Sequence, residues 1–159
     1  LHSMPVPDLL PLLIPYWQAA GYGFDPEADQ VWLEPLTVLV QPSLVRLKDV
    51  VEMTQFFFAQ ELQFDPEATT QLQQPGSATA LTAILEGLKT VDRFTETEAK
   101  ALIDQVVKSA GLKKGLVMRS LRAALTGALH GPDLIQSWVI LHQRGFDQSH
   151  LQQALALAV

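Results

Sequence analysis

The chain has 159 residues, of which 48% are hydrophobic and 18% charged, a composition typical of one or two small globular domains rather than of a disordered tail. It contains no cysteine, which excludes disulfides, thiolate metal sites and cysteine nucleophiles. No apolar run approaches the roughly 18 residues that a membrane span needs, so we expect no membrane association, and the lack of cysteine fits a cytoplasmic location.

The first 40 residues predict two helices. The apolar stretch 8–20 predicts the first, with Pro11 in its first turn, where proline displaces no internal hydrogen bond, and with Pro15 bending it. Asp25 followed by Pro26 is a common pair of N-cap and first helical residue, and it predicts the start of the second helix. The predicted buried side of that helix comprises Val31, Trp32, Leu36, Val38, Leu39 and Val40.

Apolar residues at intervals of three and four predict a third helix from the break at Gln41–Ser43 to about residue 60. It contains the run Phe56–Phe58. Because this run follows the helical period and no basic residue is interleaved, we expect its rings in the core rather than in a base-stacking surface. Three tryptophans lie in similar apolar stripes and are also expected in the core: Trp17, Trp32 and Trp138.

The polar segment 71–77 is predicted to separate two domains, 1–70 and 71–159, as a boundary or a hinge. Just before it, Asp65-Pro66 repeats the signal for a helix start. After it we expect a helix over about 78–91 and another that ends at Gly111. Thr95 and Glu98 have the spacing of a capping box at the start of the latter helix.

The last part of the chain predicts a short linker over 113–117 and helices over 119–129, 134–141 and from 149 to the end. Strand signals are nearly absent from the sequence. The predicted fold class is therefore all-α.

The basic side chains are concentrated in one segment of an acidic chain. Residues 100–122 contain six basic residues and one acidic residue, for a charge of +5, whereas the remainder contains five basic and sixteen acidic residues, for −11. Phosphates suit such a segment, because each neutralised phosphate releases bound counterions. A solvated helix face is the alternative, and charge alone does not decide between them. The six residues are Lys100, Lys108, Lys113, Lys114, Arg119 and Arg122.

The sequence Leu-Arg-Ala-Ala-Leu-Thr-Gly at residues 121–127 is followed by Gly131-Pro132 and an apolar helix. It resembles the Leu-Arg-x-Ala-Leu-Thr-Gly pattern in the C-terminal anticodon-binding region of bacterial glutamyl-tRNA synthetases. The resemblance is specific at this point and extends more weakly over nearly the whole chain. The His-Ile-Gly-His-like and Lys-Met-Ser-Lys-Ser-like signatures of class I synthetases are missing, so the chain resembles only the C-terminal part of that family.

The resemblance implies a two-part helical anticodon-binding architecture, a helix bundle or cage, with residues 1–70 near the anticodon stem and residues 71–159 at the anticodon. It implies tRNA(Glu) as the partner, leaves tRNA(Gln) open as a second, and implies no DNA partner and a monomer. ATP and magnesium belong to the catalytic domain of the parent ligase, so no cofactor is expected in this chain. The four histidines lie at no metal-ligand spacing, and no metal site is predicted.

The same resemblance implies the residues that contact tRNA. Arg122 matches the arginine that contacts the anticodon, and Pro132 and Leu134 match the corner whose backbone and apolar surface pack on the splayed bases. Gly131 stands where some relatives have threonine and therefore lacks the hydroxyl that those relatives offer. His130 lies at the same corner, where a turn histidine predicts no particular role.

Three further basic residues precede that corner. Arg119 lies three positions before Arg122, hence on one helical face with it, and is assigned to RNA contact as well. Lys113 and Lys114 are either phosphate contacts or ordinary solvated lysines.

Ser43 is the most consequential departure from the family pattern. Discriminating members carry an arginine there that reads the third anticodon base as cytosine, and serine cannot form this bidentate contact. Its loss removes about 1–3 kcal/mol of base discrimination by analogy with other such contacts. We therefore expect a non-discriminating protein that accepts both tRNA(Glu) and tRNA(Gln), unless Arg46, one turn on, substitutes for the missing arginine.

A helical protein-interaction module is the alternative from another functional class. The acidic remainder of the chain and its apolar stripes would then dock a partner protein. RNA recognition predicts salt-sensitive binding that depends on Arg122, whereas a protein-interaction module predicts binding insensitive to that residue.

Overall fold

The computed structural model describes residues 1–158, and within this range the chain is helical with no strand, which confirms the predicted all-α class. The α-helices of this range are α1 (Val6–Ala19), α2 (Gln30–Val40), α3 (Val50–Met53), α4 (Gln55–Phe58), α5 (Pro66–Leu72), α6 (Ser77–Leu88), α7 (Glu96–Ala110), α8 (Lys114–Thr126), α9 (Leu134–Arg144) and α10 (Asp147–Ala158). Two 3₁₀ turns, Gln41–Ser43 and Leu47–Asp49, lie between α2 and α3.

The chain divides into two compact units, Leu1–Ala59 and a second that begins at Gln60. The division falls before α5, whereas the polar segment 71–77 predicted it after residue 70. In the structure α5 packs on α8 and α10 of the second unit, and segment 71–77 is a turn within that unit. The Ser77 hydroxyl holds this turn, because it lies 2.8 Å from both the Gln71 carbonyl oxygen and the Ser120 hydroxyl.

In the first unit, α1 begins earlier than predicted, and Pro7 rather than Pro11 occupies its first turn. Pro11 and Pro15 both lie inside the helix on its exposed side, where water can satisfy the carbonyl groups that lose their helical partners. The opposite side of α1 is fully buried at Leu9, Leu13 and Trp17.

The signal at Asp25 produces a turn rather than a helix start. Asp25 Oδ1 accepts hydrogen bonds from the backbone N–H groups of Glu27 at 2.9 Å and Ala28 at 3.1 Å. The α-helix nevertheless begins only at Gln30, since residues 26–29 form turns.

Within α2 the predicted buried side is correct in part. Trp32, Leu36 and Val40 are buried, but Val31 and Val38 are 68% and 56% exposed. Residues seven apart share one side of a helix, so Val31 and Val38 lie together on the outer side.

The predicted third helix is wrong as a continuous element. Residues 41–58 instead form the two 3₁₀ turns, an extended residue at Leu44 and the short helices α3 and α4. The apolar pattern still identified residues that are buried, because Leu44, Val50 and Phe57 are fully buried although they lie in different elements. The core prediction for the run Phe56–Phe58 is confirmed for Phe57 and Phe58, whereas Phe56 is only partly buried.

In the second unit, α8 is the central helix and packs against α5, α6, α7, α9 and α10. α7 begins at the predicted cap, where the Thr95 hydroxyl accepts a hydrogen bond from the Glu98 N–H at 3.5 Å, and ends at Gly111. α8 starts at Lys114, so the predicted linker over 113–117 is wrong. The real connection is shorter, and most of that segment is already helical.

α9 and α10 complete the second unit. Asp133 caps α9 through a 2.9 Å hydrogen bond from the Gln136 N–H to Oδ1, and Gly145 ends it. α10 begins at Asp147, earlier than predicted, and the predicted extension to Val159 lies outside the described residues. The tryptophans expected in the core, Trp17, Trp32 and Trp138, are all buried. Across residues 1–158, no helix combines the length and apolar character that crossing a membrane requires.

Candidate functional site

The family-like segment 121–127 forms the second half of α8 and its end. Four of its side chains are completely buried, because α8 is surrounded by other helices: Leu121, Ala123, Ala124 and Leu125. Arg122 is the one charged member, and its side chain is half-buried. Much of the motif is therefore explained by packing, and Arg122 is the member that offers charged chemistry at the surface.

The Thr126-Gly127 pair ends α8 through a hydroxyl and a close backbone contact. The Thr126 hydroxyl lies 2.8 Å from the Arg122 carbonyl oxygen and 3.0 Å from that of Ala128. Gly127 has φ 76°, and a Cβ there would clash with the Gln63 carbonyl oxygen. Its own carbonyl accepts a hydrogen bond from the Asp65 N–H at 2.9 Å. This pair thus holds the end of α8 against residues 63–65.

The Arg122 guanidinium is held at the corner between α8 and α9. Its Nη1 donates a 2.8 Å hydrogen bond to the Pro132 carbonyl oxygen. A Cβ built on Gly131 would lie 3.4 Å from the same nitrogen, so the backbone of the corner passes close to the guanidinium. The corner thereby fixes where the end of this side chain lies.

Arg122 has no ion-pair partner among residues 1–158, since none of their carboxylate oxygens lies within 4.0 Å of its guanidinium nitrogens. Burial lowers the pKa of the Arg122 guanidinium below its usual value, and the negative charge of Asp133 partly offsets this effect. The side chain has five N–H donors, and the contact to Pro132 uses one. A partly desolvated cation with unused, fixed donors is the arrangement that an anionic or hydrogen-bond-accepting ligand completes.

The groups that the corner presents to a ligand are mainly backbone groups rather than apolar side chains. The Leu134 side chain is only 5% exposed, so it has little apolar surface to give to a base. Its backbone N–H belongs to the first turn of α9, where N–H groups have no acceptor within the helix. The Pro132 carbonyl already receives Arg122, while Gly131 and His130 are exposed.

The other basic residues of α8 are more exposed than Arg122. The Arg119 guanidinium folds back along the helix, with Nη1 3.1 Å from where a Cβ on Gly115 would be. Arg119 and Arg122 therefore contact different parts of the second unit. Lys114 forms an exposed ion pair with Asp104 at 3.4 Å, whereas Lys113 is the exposed N-cap residue of α8. An exposed pair of this kind contributes little to stability and leaves Lys114 able to exchange partners.

Ser43 and Arg46 belong to the first unit. Ser43 is exposed at the end of a 3₁₀ turn. The backbone between them is extended at Leu44, so Arg46 does not lie one helical turn after Ser43. The Arg46 side chain pairs with Asp49 at 3.3 Å.

Two aspartates at helix starts were not among the predicted site residues. Asp133 lies between Pro132 and α9, and a polar residue directly before an apolar helix is a recognisable N-cap signal. Asp147 is buried at the start of α10, where its Oδ2 accepts from Trp138 Nε1 at 3.2 Å and lies 2.8 Å from His142 Nδ1. These bonds join α9 to α10 and are structural. Residues 1–158 contain no cluster of histidine and acidic side chains suited to a metal ion.

The fold and the corner define a helical domain that presents one half-buried arginine beside exposed backbone. A family described as "Anticodon binding domain" matches residues 8–145, which is most of the chain. The chain belongs to this family, and the resemblance inferred from residues 121–132 is confirmed.

The relatives that the chain matches are glutamate-tRNA ligases. That of Nostoc punctiforme is 51% identical over 158 residues, which cover 99% of this chain and 33% of the relative. That of Picosynechococcus sp. is 53% identical over 156 residues, which cover 98% of this chain and 32% of the relative. The chain thus spans about a third of the length of these curated relatives.

Among solved structures, a glutamate tRNA ligase from Elizabethkingia meningosepticum superposes with a TM-score of 0.83 over 96% of this chain and 29% of that protein. The sequence identity is 22%, so this comparison establishes the shared fold.

Proposed function

We propose that this chain is the tRNA anticodon-binding part of a glutamate-tRNA ligase. It binds the anticodon of tRNA(Glu) so that a catalytic domain, absent from this chain, can attach glutamate with ATP and magnesium. The relatives' function and their greater length support this proposal. In this role the chain acts as a cytoplasmic monomer on tRNA, not on DNA.

The observation that carries the proposal is the environment of Arg122. Burial disfavours its charge, and no carboxylate of residues 1–158 pairs with it. Holding this charge half-buried is therefore unfavourable for the free energy of the isolated protein. Pro132 orients the guanidinium without using all its donors. Such a group can hydrogen-bond to the edge of an unpaired base or stack on its face.

The remaining basic residues suit a sequence-independent role. Lys113, Lys114 and Arg119 are exposed on or beside α8, in the one basic segment of the chain. Exposed cations of this kind neutralise phosphates, which provides affinity and salt dependence but no base selection. We therefore assign base contact to Arg122 with the backbone of Gly131, Pro132 and Leu134.

The test is a titration of the 159-residue chain with the anticodon stem-loop of tRNA(Glu) at low and moderate salt. Arg122→Ala should weaken binding by about 1–3 kcal/mol, the value of a specific arginine contact. Arg122→Lys keeps the charge but lacks the planar fork, so it should keep salt dependence and lose preference for the cognate loop. Arg93→Ala is the matched control, since it removes one exposed arginine from the same unit.

Two results would contradict this proposal. Binding that Arg93→Ala and Arg122→Ala weaken equally would mean that only the total charge matters. Binding to a protein partner that is insensitive to Arg122, without measurable affinity for RNA at low salt, would favour a protein-interaction module instead.

We further propose that the domain accepts both tRNA(Glu) and tRNA(Gln), because Ser43 offers no fork for the third anticodon base. This base is cytosine in tRNA(Glu) and guanine in tRNA(Gln). Arg46 is a poor substitute, since the extended backbone at Leu44 separates it from Ser43 and its side chain pairs with Asp49.

The stem-loops of the two tRNAs should therefore bind the unmodified chain with similar affinity. Ser43→Arg should favour the cytosine-containing loop by about 1–3 kcal/mol. Arg46→Ala serves as the control and should leave the ratio of the two affinities unchanged. A strong preference of the unmodified chain for cytosine that Arg46→Ala abolishes would show that Arg46 reads this base.

A further inference from the structure

Two independent contacts hold the Arg122 guanidinium and the Asp133 side chain at the same corner. Its neighbour Pro132 receives Arg122 Nη1 at 2.8 Å, so the arginine is tied to the backbone directly before Asp133. The Asp133 side chain is exposed but anchored, because Oδ1 accepts the Gln136 N–H at 2.9 Å as the cap of α9. The corner thus holds a cation and a carboxylate in a defined arrangement.

The two groups are near each other without forming an ion pair. The charge of Asp133 acts on Arg122, yet no carboxylate oxygen of residues 1–158 lies within 4.0 Å of the guanidinium nitrogens. Neither charge neutralises the other by direct contact, so both remain available to a ligand. An exposed carboxylate is an unexpected neighbour for a guanidinium whose task is to bind RNA, since it repels phosphate.

We propose that Asp133 is a specificity-determining residue that makes the Arg122 site select the edge of an unpaired nucleobase over a phosphate. This inference rests on the proposed function of the same site. The Watson–Crick edge of every unpaired base carries at least one N–H donor beside its acceptors, whereas a phosphate diester carries acceptors and a negative charge. Arg122 alone can bind either. A carboxylate beside it accepts from the base and repels the phosphate, which adds an unfavourable interaction with the wrong ligand to a favourable one with the right ligand.

The test uses Asp133→Asn, because asparagine caps a helix about as well as aspartate but has no charge. The 159-residue chain is titrated with the tRNA(Glu) anticodon stem-loop and with the same loop made abasic at all its anticodon positions. The measured quantity is the ratio of the two dissociation constants at low and moderate salt. Asp92→Asn is the matched control, an exposed aspartate of the same unit that undergoes the same chemical change.

Asp133→Asn should tighten binding of the abasic loop about two- to fivefold at low salt, the range expected for one exposed charge. It should also reduce the preference for the intact loop by about fivefold or more, since the acceptor for the base N–H is weakened. Asp92→Asn should change binding of both loops by the same factor and leave the ratio unaltered. If Asp133→Asn folds poorly, Asp133→Ser provides a second neutral cap and should show the same loss of preference.

A ratio in Asp133→Asn equal to that in Asp92→Asn would overturn the inference. The controls separate this failure from failure of the proposed function. If the unmodified chain prefers the intact loop and Arg122→Ala abolishes the preference, the proposed function stands while the role of Asp133 alone is refuted. If the unmodified chain binds both loops equally or not at all, both are refuted.

Discussion

Replacing Gly127 with alanine should destabilise the second unit far more than the same change at another helix end. Gly111 and Gly127 both follow a helix in the left-handed conformation, with φ 66° and 76°. Alanine at either position therefore pays about 1–2 kcal/mol of backbone strain. At Gly127 the new Cβ would clash with a backbone atom, the carbonyl oxygen of Gln63. At Gly111 no atom lies within 4 Å of the new Cβ.

The steric part of the effect can be worked from these contacts. To relieve the clash, the end of α8 must move away from residues 63–65, which breaks the 2.9 Å hydrogen bond from the Asp65 N–H to the Gly127 carbonyl. Because Gly127 is buried, its carbonyl left without this bond costs about 1–3 kcal/mol, so with the strain we expect a total of about 2–5 kcal/mol for Gly127→Ala. The difference between the two variants isolates the cost of the close approach.

Urea unfolding followed by circular dichroism measures both variants under the same conditions. The unfolding should be fitted with two transitions, because the chain has two compact units and a single free energy would mix them. Equal losses for Gly111→Ala and Gly127→Ala would refute the close approach of α8 to residue 63. The Arg122→Ala variant should weaken RNA binding by about 1–3 kcal/mol and should cost no more stability than about 1.5–3 kcal/mol, the value of its one charged hydrogen bond, that to Pro132.

Two further predictions concern the first unit. Thr54→Val should cost about 1–3 kcal/mol in urea unfolding, because it leaves the buried Trp17 Nε1 without its 2.9 Å acceptor, whereas Thr37→Val, which removes only a bond to the Leu33 carbonyl, should be nearly neutral. The Asp25 carboxyl should titrate below its usual pKa in NMR, because the N–H groups of Ala28 and Glu27 bind its ionised form. Its stabilising effect is present above the unfolded pKa and lost as pH falls through the lowered folded pKa; an unshifted titration would contradict these hydrogen bonds.

The family-like motif of α8 illustrates how a sequence pattern mixes structural and functional requirements. Leu121, Ala124 and Leu125 fill the core around α8, which is surrounded by other helices. Glycine is needed at position 127 because the backbone of Gln63 passes close to it. Arg122 is the member that packing does not explain. A comparison of stability and RNA affinity across variants of this one segment therefore separates the two kinds of requirement.

Local sequence signals determined much of the fold of this protein. The Asp65-Pro66 pair, glycines at helix ends and apolar spacing predicted the all-α class and the approximate position of most helices, because helix caps and amphipathic faces are encoded within a few residues. Over residues 41–58 the apolar period predicted one long helix where the chain forms several short elements. There the buried Thr54 accepts the Trp17 N–H, a contact between residues distant in the sequence, and the apolar period continues across breaks in the helix.

The tertiary structure alone decided which residues meet. The sequence placed Arg122 near a glycine–proline corner, but only the fold brings its guanidinium onto the Pro132 carbonyl and sets Asp133 beside it. The tertiary structure likewise places α5 in the second unit, because Ala68 and Leu72 are buried and α5 packs on helices that follow much later in the chain. Such contacts depend on how several elements pack together, and this packing cannot be predicted from the local sequence pattern.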